Sequence, residues 1–454
     1  MNANLIEKYN VPVPRYTSYP PANYFAPYTE EAYRQAITES NDAIDHRISF
    51  YIHIPFCRHL CHYCGCNSYP MMKSEVVDRY VEALHREIDL LLPLLNRERQ
   101  VAQIHYGGGS PTALPISQLK ELNAHLLEGF TTIERPEIAI ECHPGYLNEN
   151  DWQELTQSGF NRYSLGVQDF NEAVLKTVNR RPSLLPLETI FAILRESGAS
   201  INMDFLYGLP LQTVESFAES IKKAIRLSPD RLVTFSYAHV PWVNKRQSIL
   251  EKAGLPTGEL KSALFTEASR LLHEAGYRSI GMDHFVRPND ELSLALDTKQ
   301  LHRNFQGYCT RRTTAQVYAF GVTGISQLHT AYTQNTKDIE SYIETVESGH
   351  LPVVKGYTLN SEEQLTREVI ESLMCNYVIH WDEIAQRMNT DRATLQAATA
   401  FDQQKLKQFA ADGLITYSDE KIQMTESGSP FVRNVAASLD KLMLNSAKTF
   451  SKPI

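Results

Sequence analysis

Four of the seven cysteines fall between positions 57 and 66, in the text Phe56-Cys57-Arg58-His59-Leu60-Cys61-His62-Tyr63-Cys64-Gly65-Cys66. Spacings of three and two intervening residues let one loop turn three thiolates towards a common centre, and thiolates are the standard ligands of iron–sulfur clusters. A cluster usually takes four protein ligands, so three from one loop would leave one iron open to a small molecule. Two other readings fit the same residues. One is a zinc knot, which would favour paired C-x2-C units with a second pair or histidines elsewhere; the other is a group of inert thiols. An odd cysteine count with one tight cluster reads as metal ligation or redox chemistry in a reducing compartment rather than as a disulfide framework. Cys142, Cys309 and Cys375 are scattered and receive no function.

Further along, Tyr106-Gly107-Gly108-Gly109-Ser110-Pro111 places three glycines in a row. Such a turn exposes backbone N–H and C=O groups without side-chain obstruction and suits a small polar group such as an amino acid's ammonium. The bland alternative is a plain strand-to-helix turn. Glu141, Asp204, Gln168, Arg180 and the text Tyr237-Ala238-His239 stand at or beside the ends of other apolar runs. Singly, carboxylates there are often caps. Together they form a polar ring able to hold ribose hydroxyls, an ammonium group and, through Arg180, a carboxylate.

The elements that must position these residues follow a repeating pattern. Apolar runs of strand length, ISFYIHI, QIHYGG, IAIEC, RYSLGVQ, INMDFLYG and RLVTFSYAHV, alternate with stretches of helical period near 75–95, 117–128, 149–158, 171–178, 185–197 and 214–227. Six strand–helix repeats predict an α/β fold with a parallel sheet in a partial (βα)6 barrel, where chemistry gathers at the carboxyl ends of strands. Residues 1–46 form an amino-terminal flap segment whose text PVPRYTSYPPANYF is held extended by its prolines, with a helix beginning near Thr29. Residues 47–358 form the barrel with a substrate-cleft extension. After Pro241 a helix is expected over 259–275, followed by the irregular GMDHFVRPNDEL and HRNFQGY. Residues 359–454 form a smaller, mostly helical domain in which LITYSDEKIQMTESG reads as a two-stranded, winged-helix-like wing.

The global composition narrows the partners. A length of 454 residues fits one large barrel with appendages, and 43% hydrophobic with 21% charged residues excludes a disordered or low-complexity chain. A net charge of −9 without a basic block argues against nucleic acid as the main partner. The amino terminus lacks a signal-peptide pattern and no run is long enough to span a membrane, so the expectation is a cytoplasmic protein without a membrane partner.

The C-x3-C-x2-C spacing after the first strand of a βα series resembles the radical S-adenosylmethionine superfamily. That resemblance implies a [4Fe–4S] cluster on Cys57, Cys61 and Cys64, with Cys66 outside the ligand set and Tyr63 as the aromatic residue before the last ligand. It also implies S-adenosylmethionine chelated to the open iron, with the glycine turn at its methionine-amino group. More text matches: PRYTSYP, YIHIPFC, CGC, GVQDFN, GLP, YAH, GMDHF and HRNFQGY, in this order, look like the oxygen-independent coproporphyrinogen III oxidase (dehydrogenase) family, over nearly the whole chain.

Carried over position by position, the resemblance implies that Tyr51, Gly108, Glu141 and Ile325 line the cluster-bound S-adenosylmethionine. Tyr63, Gly109, Ser110, Gln168, Arg180, Asp204 and Ala238 would line it or a second molecule of it. Tyr63 stands where Phe is common, Ser110 where Thr is common and His143 where Asp is common, the last leaving the local charge open without removing a cluster ligand. The implied activity is that of an oxidoreductase of porphyrin and haem biosynthesis. A 5′-deoxyadenosyl radical abstracts a β-hydrogen from a propionate of coproporphyrinogen III, and loss of CO2 and one electron leaves a vinyl group. Two propionates are processed, giving protoporphyrinogen IX. No catalytic side chain is assigned beyond the cluster and S-adenosylmethionine. The implied partners are coproporphyrinogen III and unidentified electron donor and acceptor, in a monomer. Arg15, Arg287 and Arg303 are candidate partners of the substrate carboxylates, each also readable as an ordinary surface or structural arginine. A haem chaperone of similar fold is the alternative within the superfamily. An iron–sulfur winged-helix regulator is the alternative outside it, though the carboxy-terminal domain, rich in Glu and Asp, lacks a basic stripe.

Overall fold

Residues 3–43, 45–313, 316–444 and 446–451 are described by a computed structural model. Six strands lie side by side in chain order and all run parallel: β1 (Arg47–Ile54), β2 (Gln100–Gly108), β3 (Thr131–Cys142), β4 (Arg162–Gln168), β5 (Ser200–Tyr207) and β6 (Arg231–Ser236). Parallel neighbours need crossovers, and these are supplied by α1 (Ser74–Leu91), α2 (Ile116–Leu127), α3 (Glu149–Thr156), α4 (Glu172–Thr177), α5 (Leu187–Glu196) and α6 (Val214–Leu227). Their starts are set locally. Asn148 with Asp151, and Thr213 with Ser216, form reciprocal caps at α3 and α6. In α1, Val77, Tyr80, Val81, Leu84, Ile88 and Leu91 recur at helical spacing and are buried on the sheet.

Strands β4 and β5 alternate strictly over most of their length. Tyr163, Leu165 and Val167, with Ile201, Met203 and Phe205, are buried among the helices, whereas Ser164, Gly166 and Gln168, with Asn202 and Asp204, are half-buried on the opposite face. The inner face of the sheet is therefore polar at the carboxyl ends.

The sheet continues on both sides, reaching thirteen strands among the described residues. Gln316–Phe320 adds a seventh parallel strand beside β1, followed by antiparallel Ile325–Gln327, Ala331–Asn335 and Val353–Thr358. On the other edge, His284–Val286 and Arg278–Ile280 extend β6. The text expected to be irregular after Pro241 thus contains a strand pair, the helix Glu291–Asp297 and a hairpin of Leu301–Asn304 with Gly307–Thr310. Strands of three or four residues are too short for a period to show in sequence.

Glu87 of α1 fastens this extension to the barrel. It is fully buried and accepts hydrogen bonds from the Gly321 N–H (2.8 Å), Asn335 Nδ2 (2.7 Å) and the Tyr342 hydroxyl (2.6 Å).

In the carboxy-terminal region the helix Ser361–Asn376 leads to a three-stranded sheet in which Val378–His380 joins the wing Ile415–Tyr417 and Lys421–Met424. The amino-terminal segment packs into the same core: Tyr9, Tyr16 and Tyr19 are buried with Trp381, Phe431 and Val435. The hydroxyls of Tyr16 and Tyr19 both donate to Asp440, at 2.9 and 3.2 Å, and Arg433 Nε donates to the Pro14 carbonyl at 2.9 Å. The segment begins with the helix Ala3–Tyr9, which the sequence reading did not foresee. No helix among the described residues is long and apolar enough to cross a membrane.

Candidate active site

The cysteine loop leaves β1 and is closed at its base. Phe56–Cys57 pairs with Tyr69–Pro70, and the Tyr69 and Met71 N–H groups donate to the Pro55 and Cys57 carbonyls at 2.8 and 2.9 Å. Residues far away in sequence fix the backbone between. The His62 N–H donates to the Val178 carbonyl (2.9 Å), and Asn179 Nδ2 to that of Leu60 (2.9 Å). Asn244 Nδ2 reaches the Cys64 carbonyl and Gln247 Nε2 that of Tyr63, both at 2.8 Å. Cys57, Cys61, Cys64 and Cys66 all line one open cavity of about 170 Å³. Cys61 is buried, Cys57 and Cys64 are half-buried and Cys66 is exposed, with its N–H directed at Cys64 Sγ (3.4 Å). Burial, with the neighbouring thiols, pushes the Cys57 thiol up to about 12.

The other walls come from the carboxyl ends of four neighbouring strands: Gly108–Ser110 after β2, Glu141–His143 from β3, Ser164, Gly166 and Gln168 from β4, and Asp204 from β5. The glycine turn is packed from below. A Cβ on Gly107 would sit 2.8 Å from Glu141 Oε1, and one on Gly108, whose φ is +111°, would sit 2.6 Å from the His53 ring. Glu141 Oε1 lies 3.2 Å from His105 Nε2, and Tyr51 stacks on His105. Gln168 holds a left-handed φ of +70° where β4 shifts register against β5, a strained conformation of the kind that collects at functional strand ends. Asp204 accepts from Ser164 Oγ (2.6 Å) and Asn202 Nδ2 (2.8 Å), and burial pushes its carboxyl up to about 6. Arg180 donates to the Tyr63 hydroxyl and to the Gly166 carbonyl.

His143 is also a wall of this cavity. Its Nδ1 accepts the Gly145 N–H at 3.0 Å, which places the ring proton on Nε2. That Nε2 is buried without a partner in the protein. Burial, then the nearby Arg180, holds the imidazole down to about 2, so the residue is neutral and the local charge that the sequence left in doubt is zero.

Of the residues named from sequence, Tyr63, Gly108, Gly109, Ser110, Glu141, Gln168, Arg180 and Asp204 line the cavity with the three spaced cysteines. Tyr51 stands directly behind it against His105. Ala238 and Ile325 are not in its wall: Ala238 is exposed beyond the end of β6, and Ile325 packs against the cluster of Phe25, Tyr332 and Leu359 in the sheet extension. Arg287 is spent on the Pro229 and Ser228 carbonyls and lines a separate pocket. Arg303 lines a cavity under Tyr16–Tyr19, donates to the Arg15 carbonyl at 2.9 Å and keeps a buried Nε without a partner. Sequence reasoning missed His53, which is buried, bonds to Tyr51 and to the Asn67 carbonyl at 3.2 and 3.0 Å, and packs under Gly108. Its position in YIHIPFC, two residues after Tyr51 on the same strand face, was the available signal.

Three thiols from one loop, a glycine cradle, an unpartnered buried N–H and a half-buried ring of two carboxyl groups and one guanidinium suit an iron–sulfur cluster with a zwitterionic, hydroxyl-bearing ligand. A zinc knot would favour paired C-x2-C units, whereas this loop sets three thiols at spacings of three and two beside a glycine turn.

Comparison with known proteins agrees. The model of the radical SAM superfamily matches residues 51–224, and that of the HemN C-terminal domain matches residues 359–431. An oxygen-independent coproporphyrinogen III oxidase of Synechocystis sp. is 35% identical over 100% of this chain and 98% of its own length. The protein of that name from Salmonella typhimurium is 39% identical over 98% and 96%. The solved structure of coproporphyrinogen III oxidase (HemN) from Escherichia coli, a radical SAM enzyme, superposes with a TM-score of 0.87 at 37% identity, covering 97% of this chain and 98% of that one.

Proposed function

Because the chain belongs to the oxygen-independent coproporphyrinogen III oxidase family, we infer that it decarboxylates two propionate side chains of coproporphyrinogen III to vinyl groups, yielding protoporphyrinogen IX. The observation that carries this reading is the convergence of the three spaced cysteines and the glycine turn on one cavity, in a chain aligned with such relatives end to end. When bound, a [4Fe–4S] cluster and S-adenosylmethionine supply the radical that removes a hydrogen from each propionate.

The chain's own part is binding, orientation and exclusion of competing hydrogen donors. Cys57, Cys61 and Cys64 would hold the cluster, supported by their common cavity. The backbone of Gly107–Gly109 and the carboxylate of Glu141 would receive the ammonium of S-adenosylmethionine. Arg180 would receive a carboxylate, and Gln168 with Asp204 would receive hydroxyls. For the tetra-acid substrate the candidate cations are Arg303, which keeps a buried Nε without a partner in the cavity under Tyr16–Tyr19, and Arg15, whose carbonyl it holds. An electron donor for the cluster and an acceptor for the electron released with CO2 complete the partners.

The test is anaerobic reconstitution with iron and sulfide, followed by dithionite, S-adenosylmethionine and coproporphyrinogen III. Protoporphyrinogen IX together with 5′-deoxyadenosine and CO2 is expected. Haem binding without decarboxylation would overturn the reading in favour of a haem chaperone.

A further inference from the structure

We propose that the surface around the cysteine loop is the docking site of a small acidic protein that delivers single electrons to the cluster; this rests on the function inferred above. The surface has two lobes. On one side a groove of about 700 Å³ is walled by His59, Lys176, Arg180 and Arg181, with Glu172 as its acidic member. Arg58 and Arg181 each lie 5.6 Å from the ring of Tyr146, whose hydroxyl bonds His59 Nδ1 at 2.8 Å, so one aromatic ring gathers three basic side chains. On the other side, the loop 240–247 presents Trp242 and Val243 at 77% and 71% exposure, with Lys245 exposed beside them. Trp242 is the most exposed large apolar side chain among the described residues.

Both lobes are attached to the cluster loop itself. Val178 and Asn179 bond residues 62 and 60, while Asn244 and Gln247 bond residues 64 and 63. Val174 and Val178 of the first lobe share a buried cluster with Tyr237 and Leu250 of the second, and Tyr63 packs against it. A partner seated on the first lobe meets the ligand loop itself at the exposed Arg58 and His59.

Charge points to the partner's chemistry. In a chain of net charge −9, exposed Arg58, Lys176, Arg181 and Lys245 stand at or beside the loop, and Glu251 is taken by His239 at 3.0 Å. Such a patch steers an acidic protein and repels a basic one, and a solvent-facing Trp beside cations is the usual composition of an interface hot spot. One electron leaves the carrier's centre, which is oxidised by one, and reduces the cluster by one; no bond to the chain forms or breaks.

The test uses the reconstituted holoprotein, reduced flavodoxin as the acidic probe, and the variants K176E/K245E and W242A, none of which touches the cavity wall. Binding of flavodoxin is measured by calorimetry at low and high salt, and 5′-deoxyadenosine formation is measured with flavodoxin and, separately, with dithionite. Wild-type binding should weaken with salt, and each variant should bind and be reduced about tenfold more weakly while dithionite-driven turnover is unchanged. Absence of wild-type binding, or equal binding by all three proteins, would overturn the proposal. So would a raised KM for coproporphyrinogen III in W242A under dithionite, which would move Trp242 to the substrate cleft. Failure of dithionite-driven turnover in the wild type would instead remove the functional reading beneath it.

Discussion

Arg180 Nη1 lies 3.5 Å from Cys61 Sγ and 3.0 Å from the Tyr63 hydroxyl, so a residue following α4 grips the cysteine loop from the far side of the cavity. Its second nitrogen donates to the Gly166 carbonyl at the end of β4. The guanidinium joins the loop to the barrel while keeping its cation in the pocket. Lysine preserves the charge but loses the fork. Arg180→Lys is expected to keep its iron and sulfide content after reconstitution and to form 5′-deoxyadenosine roughly tenfold more slowly or worse. An unchanged rate would reduce Arg180 to a brace.

The four clustered cysteines should divide three to one. Cys57→Ser, Cys61→Ser and Cys64→Ser should each lose the cluster's visible absorption and iron content, while Cys66→Ser, an exposed position, should retain both. Iron analysis of the four reconstituted variants decides this, and loss in Cys66→Ser alone would refute the assignment.

His143 offers one N–H to the cavity and no charge. Removing a buried donor to a bound ligand costs about 1 kcal/mol or more, so His143→Ala should bind S-adenosylmethionine several-fold more weakly with its cluster intact. In spectra of the folded protein the His143 ring should show no titration between about pH 5 and 8. A protonation step in that interval would contradict the burial that holds it neutral.

Burial pushes the Glu87 carboxyl up to about 7 from an ordinary value of 4.5, against the pull of its three donors. The folded chain therefore holds this proton more tightly than the unfolded chain. The stabilisation is complete below the ordinary carboxyl value and is lost as pH rises through about 7. Glu87→Gln lacks that dependence. Denaturant titrations at pH 5 and pH 8 should show the difference between the two proteins moving towards the variant by roughly 2 to 3 kcal/mol at the higher pH. Parallel stability curves would show that Glu87 is ionised throughout.

What could be read in the sequence was whatever is local. Cys57, Cys61 and Cys64 declare themselves through spacing alone, and β1–β6 through apolar runs punctuated by helices of the right length. Glu141 and Gln168 were found because each stands at the close of such a run, whereas Asp204 interrupts its run three residues before the strand ends at Tyr207. The resemblance brought in Ala238 and Ile325, but no local pattern says on which side of the wall either one falls, and the structure places both outside it. The residues that hold the cysteine loop in shape were invisible for a different reason. Asn244 and Gln247 act across separations of 180 and 184 residues, and an amide side chain in a loop carries no sign of which carbonyl it will meet. The short strands 284–286 and 325–327 lie against longer neighbours, and 278–280 pairs at the edge with 284–286 alone, a placement that no propensity records.

The bond between Tyr16 and Asp440 spans 424 positions. During synthesis Tyr16 and Tyr19 leave the ribosome long before Asp440, and until then their hydroxyls lack this partner. The barrel can close around its sheet long before that. The roof over Arg303 is thus complete only once Asp440 has been made, so a product ended before it, however well its barrel folds, would leave Arg303 without that cover.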